Sequence, residues 1–154
     1  MKVLFVFNHA APYKVNFFNE IAKYCDLTVI FERKGNKDRN INFYDATSNF
    51  KTIFCKGINF GNENNFSFNI KKHLKRNRYD LIIMNGYHTI SEMIAIKYLK
   101  KNRMPYIFYI NGGITKENES KIKEAIKRKY ISGAISYFSP DKRSNDYLIH
   151  YGAD

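Results

Sequence analysis

The side chains best suited to chemistry stand in separated stretches: His9, Tyr13 and Lys14; then Asn85, Tyr87 and His88; then Asn111. Asn8, Pro12, Gly86, Gly112 and Gly113 flank them. Carboxamides both donate and accept hydrogen bonds, so this polar and aromatic set suits a hydroxyl-rich ligand. Lys14 opens a helical stretch, where a cation adds to the positive end of the helix and favours an anion. The amides of Gly112 and Gly113, just before another helical stretch, have the same potential. Each residue also has a purely structural reading. The glycines serve equally as turn residues, and His9 and His88 as solvent-facing loop histidines. His73 and His150 fall on expected helix surfaces and are given no role.

These residues share a setting: each group follows a short apolar run. Val3–Phe7 is wholly apolar and rich in β-formers, as in a strand buried on both faces. Asn8 to Pro12 break it. A helix is expected over Tyr13 to Tyr24, with Phe17, Phe18, Ile21, Ala22 and Cys25 on one stripe. Leu27–Phe31 is a second strand, so the opening reads as a βαβ unit with parallel strands. Glu32 to Asn49 are polar and aperiodic, with loop chemistry at Lys34–Asn40. Lys51–Cys55 is expected as a third strand, Gly57–Asn65 as a loop, and Phe66–Asn77 as a helix carrying Phe66, Ile70 and Leu74. Leu81–Met84 and Tyr106–Ile110 read as strands. Thr89–Lys101 and Lys116–Tyr130 read as helices, the former with Ile90, Met93, Ile94 and Leu99 inward. Ala134–Phe138 is a sixth strand. Ser139-Pro140 then look like a cap and first position for a helix to about His150, stopped by Gly152. Such alternation predicts an α/β chain with a Rossmann-like, doubly wound, mostly parallel six-stranded sheet. In that fold the loops 8–14, 85–88 and 111–115 gather at the carboxyl edge of the sheet.

Composition sets further bounds. The 154 residues suit one domain, and 44% hydrophobic and 16% aromatic content suits a packed core. No apolar run approaches the roughly 18 residues needed to cross a bilayer, and Val3–Phe7 is too short for a signal-peptide core. Cys25 and Cys55 have no metal or redox spacing and are expected as reduced core thiols of a cytoplasmic protein. Twenty-six basic against 14 acidic residues leave a net charge of +12, which attracts anions: nucleic acid, acidic lipid or phosphorylated substrates. A lysine-rich but merely solvated surface is the alternative. There is no G-x-G-x-x-G after the first strand, no P-loop and no G-x-S-x-G elbow. Glu32 stands where a ribose-binding acid would, but lacks those glycines. No metal site and no cofactor are expected.

Ala11-Pro12-Tyr13-Lys14-Val15-Asn16-Phe17-Phe18-Asn19-Glu20, followed by Tyr24-Cys25-Asp26-Leu27-Thr28-Val29, resembles the opening of bacterial family 4 glycosyltransferases. Tyr79–Tyr87 is similar to the fourth-strand segment of that family. Ser139–Asp154 is similar to the end of its N-terminal domain. The resemblance implies half of a GT-B fold, in which two Rossmann-like domains face each other across a cleft. The N-terminal domain mainly binds acceptor; the C-terminal domain binds the nucleotide-sugar and carries two glutamates with seven residues between them. No two glutamates here have that spacing, and the sequence stops where the hinge would begin. Family members that approach the donor phosphates with two glycines in the first loop differ from Ala10-Ala11-Pro12.

The resemblance therefore implies the acceptor-binding domain of a retaining glycosyltransferase in surface-polysaccharide synthesis, inactive without a donor-binding domain. Asn8, His9, Pro12, Tyr13, Lys14, Asn85, Gly86, Tyr87, His88, Asn111, Gly112 and Gly113 would line the acceptor side; no catalytic residue is assigned. The partners implied are a nucleotide-sugar donor held by the second domain and a sugar or lipid-linked sugar acceptor. The protein would be cytoplasmic, and peripheral on the inner membrane face if the basic stretches Lys71–Arg78 and Lys97–Arg103 meet anionic lipid. The alternative is a basic stand-alone module for nucleic acid or an anionic membrane surface. Nucleic acid is not the expected partner, because the aromatics fall mostly in apparent core runs rather than on a stacking platform.

Overall fold

The structure, a computed structural model, describes residues 1–33, 47–60, 64–75, 78–116 and 118–154. β1 (Lys2–His9) leads through α1 (Pro12–Ile21) to β2 (Asp26–Arg33). β3 (Lys51–Phe54) follows, then β4 (Gly57–Phe60), β5 (Asn64–Ser67) and the single turn α2 (Ile70–His73). The second half alternates strictly: β6 (Leu81–Asn85), α3 (Ile90–Lys101), β7 (Ile107–Tyr109), α4 (Lys121–Ile131), β8 (Ser136–Phe138) and α5 (Lys142–His150). Six strands form one sheet in the order β3-β2-β1-β6-β7-β8, and every pairing in it is parallel. This is the Rossmann-like, doubly wound arrangement that the alternation predicts.

β1 is central because its side chains are apolar on both faces. Leu4 and Val6 pack with Ile30, Ile82 and Met84 under Ala95, Ile96 and Leu99 of α3. Val3, Phe5 and Phe7 face the other way, with Val29 and Phe31, under Val15 and Phe18 of α1. The Phe18 ring meets Phe5 at 5.0 Å and Phe7 at 5.4 Å, both edge-on. Such pairs add about 0.5–1.5 kcal/mol each beyond the area they bury. Pro12 starts α1, where its missing N–H costs nothing. Thr89 starts α3 with a full capping box to Glu92.

The α1 side of the sheet is covered unevenly. Ile107, Tyr109, Ser136 and Phe138 share one side by register. Ile107 and Tyr109 are half-buried against the α1-side cluster, while Ser136 is exposed and Phe138 is 54% exposed.

Several sequence expectations need correction. Residues 57–67 form the antiparallel pair β4–β5, not a loop and a helix start. The Asn/Gly content hides two short strands, and β5 gains an outside partner: Ser91 Oγ accepts from Ser67 N and donates to Asn65 O. Only Ile70–His73 is helical within the described part of 66–77; Ile70 and Leu74 are buried as expected, but Phe66 belongs to β5. α1 ends at Ile21, and Phe17 is exposed while Lys14 and Val15 are buried. On α3 Leu99 is buried and Met93 and Ile94 pack half-buried against the core as expected, but Ile90 is exposed, and Ser91, Glu92, Ala95 and Ile96 are buried as well. α4 starts at Lys121 because Ser120 accepts from Lys123 N. α5 starts after Asp141, whose carboxylate caps Ser144 N at 2.7 Å, rather than after Ser139. β2 runs to Arg33, drawing Glu32 into the sheet. The expected loop at Lys34–Asn40 lies outside the described residues.

Candidate functional site

In a doubly wound sheet the chain winds outward in both directions from its middle, leaving a crevice at the carboxyl ends of the two central strands. Here those strands are β1 and β6. Polar side chains crowd this point. Lys14, on the first turn of α1, donates to Asn8 Oδ1 at 2.8 Å, and its ammonium lies 4.4 Å from the centre of the Phe7 ring. Asn8 Oδ1 also accepts from His9 N, which fixes the turn out of β1. Thr89 Oγ1 donates to Glu32 Oε1 at 2.6 Å and accepts from Glu92 N. Glu92 Oε2 accepts from His88 N at 2.7 Å and Thr89 N at 3.2 Å, and Asn85 Nδ2 donates to Oε1. One continuous network thus ties the end of β2 to the end of β6 and the start of α3. Glu32 Oε2 is buried with no hydrogen-bond partner among the described residues.

Lys14, Glu32, Arg33 and Glu92 are all buried here. Burial raises the Glu32 carboxyl above the ordinary range, and the neighbouring Glu92 charge adds to the rise; Thr89 and Arg33 oppose it. Burial also raises Glu92, against the hydrogen bonds from Thr89, His88 and Asn85 and the field of Lys14. Burial lowers Lys14 to about 8, with Glu92 pulling it back up and Arg33 pushing it down. Two cations therefore stand beside two carboxyls that resist ionisation. Among the described residues the floor of the crevice leans positive near neutral pH, a setting that favours an anionic or hydroxyl-rich ligand.

The rim comes from the loops after β6 and β7. Gly86 takes φ +68°, and an added Cβ would lie 2.8 Å from the His88 ring. Its amide donates to Tyr109 O at 2.9 Å, joining the two loops. Tyr87 stacks between His88 and Tyr130, with ring centres 5.8 and 5.7 Å away and nearly parallel planes. The Tyr87 and Tyr147 hydroxyls bond at 2.9 Å. Burial first, then that bond, pushes the Tyr87 phenol well up. Tyr147 in turn fills the space over Gly113, where a Cβ would sit 2.5 Å from its ring. Tyr109 donates to Asn111 Oδ1. Glu119 then pairs with Lys127 at 2.8 Å and accepts from Tyr151 at 2.6 Å, holding the segment after Gly113 to α4 and α5.

The structure thus brings Asn8, His9 and Lys14 together with Asn85, Gly86, Tyr87 and His88, and ties Gly113 to them through Tyr147. Tyr13, His88, Asn111 and Gly112 are exposed on the rim, and Pro12 is half-exposed at the head of α1. Lys14 is not a free cation at the helix start: it is buried on Asn8 and Phe7. Sequence reasoning passed over Glu92 and Thr89, although Thr89-x-x-Glu92 is a legible capping box. It also discounted Glu32, whose partner lies 57 positions away. Cys25 and Cys55 are free thiols, and burial raises Cys55 to about 11. No group of metal-ligating side chains occurs among the described residues.

Fold and site together define a Rossmann-like domain with a polar, partly aromatic crevice at its switch point. No protein-family model and no curated protein matches the chain.

Proposed function

We propose that this chain is the acceptor-binding half of a retaining, nucleotide-sugar-dependent glycosyltransferase that builds cell-surface polysaccharide. The observation that carries the reading is the rim: loops following β1, β6 and β7 lie along one sheet edge and present amides, phenols and imidazoles above a floor that leans positive. The resemblance of residues 11–29, 79–87 and 139–154 to family 4 glycosyltransferases points the same way. In the parent reaction a glycosyl group passes from a nucleoside diphosphate sugar to an acceptor hydroxyl, and the bond to the diphosphate breaks. A second domain supplies most of the stabilisation of the departing diphosphate. The residues of this chain bind and orient the acceptor. Asn111 and the open backbone at Gly112 offer hydrogen bonds to sugar hydroxyls. The exposed rings of Tyr13 and His88 offer flat faces to sugar C–H groups, with Tyr87 backing His88. The Glu32–Thr89–Glu92 network holds the loop carrying His88 in place without touching the ligand. A lipid-linked acceptor would bring the protein to the inner face of the cell membrane as a peripheral component. No described helix is long and apolar enough to cross a membrane.

The test is an NMR titration of the chain with candidate oligosaccharide acceptors. Amide shifts confined to residues 8–14, 85–88 and 111–115 are expected. Saturable shifts located only elsewhere would remove the proposal.

A further inference from the structure

Lys71 on α2 and Lys97 and Lys101 on α3 converge with Ile94, Tyr98 and Asn102 on a surface groove of about 410 Å³. The groove lies toward the C-terminal end of α3, away from the crevice floor, and adjoins the rim through Lys97, whose ammonium faces the Tyr130 ring that stacks on Tyr87. At 1.5 Å per residue, Lys97 and Lys101 lie about 12 and 18 Å along α3 from Thr89. Its charge is uncompensated: no carboxylate lines it, and none of its lysines forms an ion pair among the described residues. Among the described residues Lys97 meets the face of the Tyr130 ring, 5.7 Å from its ammonium. Helix electrostatics accounts for Lys101, in the last turn of α3, and for Lys71, in the single turn of α2, but not for Lys97, a turn before the end of α3. Lys97 and Lys101 stand four residues apart on one helical face, a spacing at which like charges repel and cost stability. A groove that gathers like charges without offsetting them is suited to a ligand that brings the counter-charge.

The lining also specifies what kind of anion fits. Ammonium groups act as point charges toward phosphate oxygens and do not require the planar match a guanidinium makes. Ile94 and the Tyr98 ring supply an apolar surface beside the charges. The volume is within the range of small-molecule sites. Asn102 spends its Nδ2 on Tyr98 O and keeps its carbonyl oxygen for a hydroxyl. We propose that the α2–α3 groove binds a phosphate ester, whose charged end meets Lys71, Lys97 and Lys101 and whose organic body lies on Ile94 and Tyr98. The site stands independently of the glycosyl-transfer reading. The same chemistry is offered by a soluble phosphate ester and by an anionic lipid headgroup, and the experiment separates the two.

The full chain is titrated with inorganic pyrophosphate by NMR, and separately mixed with phosphatidylcholine vesicles with and without phosphatidylglycerol. The comparison is between the triple variant Lys71→Gln/Lys97→Gln/Lys101→Gln and a control, Lys121→Gln/Lys123→Gln/Lys142→Gln, that loses the same charge elsewhere. Pyrophosphate shifts centred on residue 71 and residues 94–102, weakened about tenfold or more in the groove variant and less than about twofold in the control, establish a soluble ester as ligand. Binding only to phosphatidylglycerol vesicles, lost in the groove variant and kept in the control, establishes a headgroup. Equal losses in the two variants would show diffuse charge and overturn the proposal, as would the absence of both pyrophosphate shifts in the groove and vesicle binding. Because the test reads neither acceptor binding nor the crevice amides, its failure leaves the proposed acceptor site where it stands.

Discussion

Glu32 and Glu92 are carboxyls placed where water cannot stabilise their charge, so both hold a proton longer in the folded chain than in the unfolded one. Unfolded, each ionises near 4.5. Their contribution to stability is therefore full below that pH and is lost as pH rises through the raised folded values. Lys14 has the opposite sign. Its folded value of about 8 lies below 10.5, so its contribution is full above 10.5 and lost as pH falls through about 8. Between about pH 5 and pH 7 the two carboxyls slope downward and His73, whose imidazole pKa burial lowers, slopes the other way; with two groups against one, urea midpoints should fall across that interval. Glu32→Gln should flatten the fall, since a carboxamide keeps an acceptor for Thr89 and has no proton to lose. An unchanged slope in that variant would show that Glu32 is not the group responsible. Gly113 gives a second prediction. Ala there would push a methyl into the Tyr147 ring, costing about 1–3 kcal/mol, and the displaced ring should shift the Tyr87 resonances. A thermal melt and an aromatic NMR spectrum of Gly113→Ala check both. These residues were unevenly legible. Lys14, Tyr87 and Gly113 stood out by type and by position after apolar runs. Glu92 did not, because a helix-borne carboxylate gives no sign of its burial, and the value of Glu32 depended on a threonine far away in sequence.

At the scale of elements, the apolar runs and the breaks after them gave away β1, β2, β6 and the helices between them. The pair β4–β5 was hidden for a physical reason. Phe66, Ile70 and Leu74 recur at helical spacing, yet only Ile70 and Leu74 reach the interior, from around a single helical turn, while Phe66 is half-buried on a strand whose inward residues are Asn65 and Ser67. The strand holds because Ser91 supplies the hydrogen bonds that a short, Asn-rich segment lacks alone. Ser91→Ala removes the partner of Ser67 N in a buried setting, which costs about 1–3 kcal/mol. Hydrogen exchange at the Ser67 amide should accelerate in that variant, and the pairing of β5 with β4, Gly57 opposite Ser67 and Asn59 opposite Asn65, should loosen. Exchange as slow as in the parent chain would show that the β4–β5 ladder is self-sufficient. The boundaries of α4 and α5 teach a related point. Ser120 and Asp141, each with an amide of the first turn in reach, decided where the helices begin, whereas Ser139-Pro140 offered a plausible start without that bond.

At the scale of the whole molecule, the parallel sheet and its topology were readable because alternation of strands and helices leaves few ways to wind a chain. What alternation could not reveal is how evenly the layers cover the sheet. The strip formed by Ile107, Tyr109 and Phe138 meets solvent at its β8 end, on a chain carrying +12. Those two properties have different ranges. Coulomb repulsion between copies reaches about 10 Å at 0.1 M salt and about 3 Å at 1 M, whereas attraction between aromatic strips is a contact force. The osmotic second virial coefficient should therefore be positive in dilute buffer and turn negative as salt is added. Such a protein should salt out early and dissolve best in nearly pure water. Static light scattering across a salt series would trace the crossing, and Phe138→Ser should move it to higher ionic strength while leaving the dilute limit, set by charge, where it was.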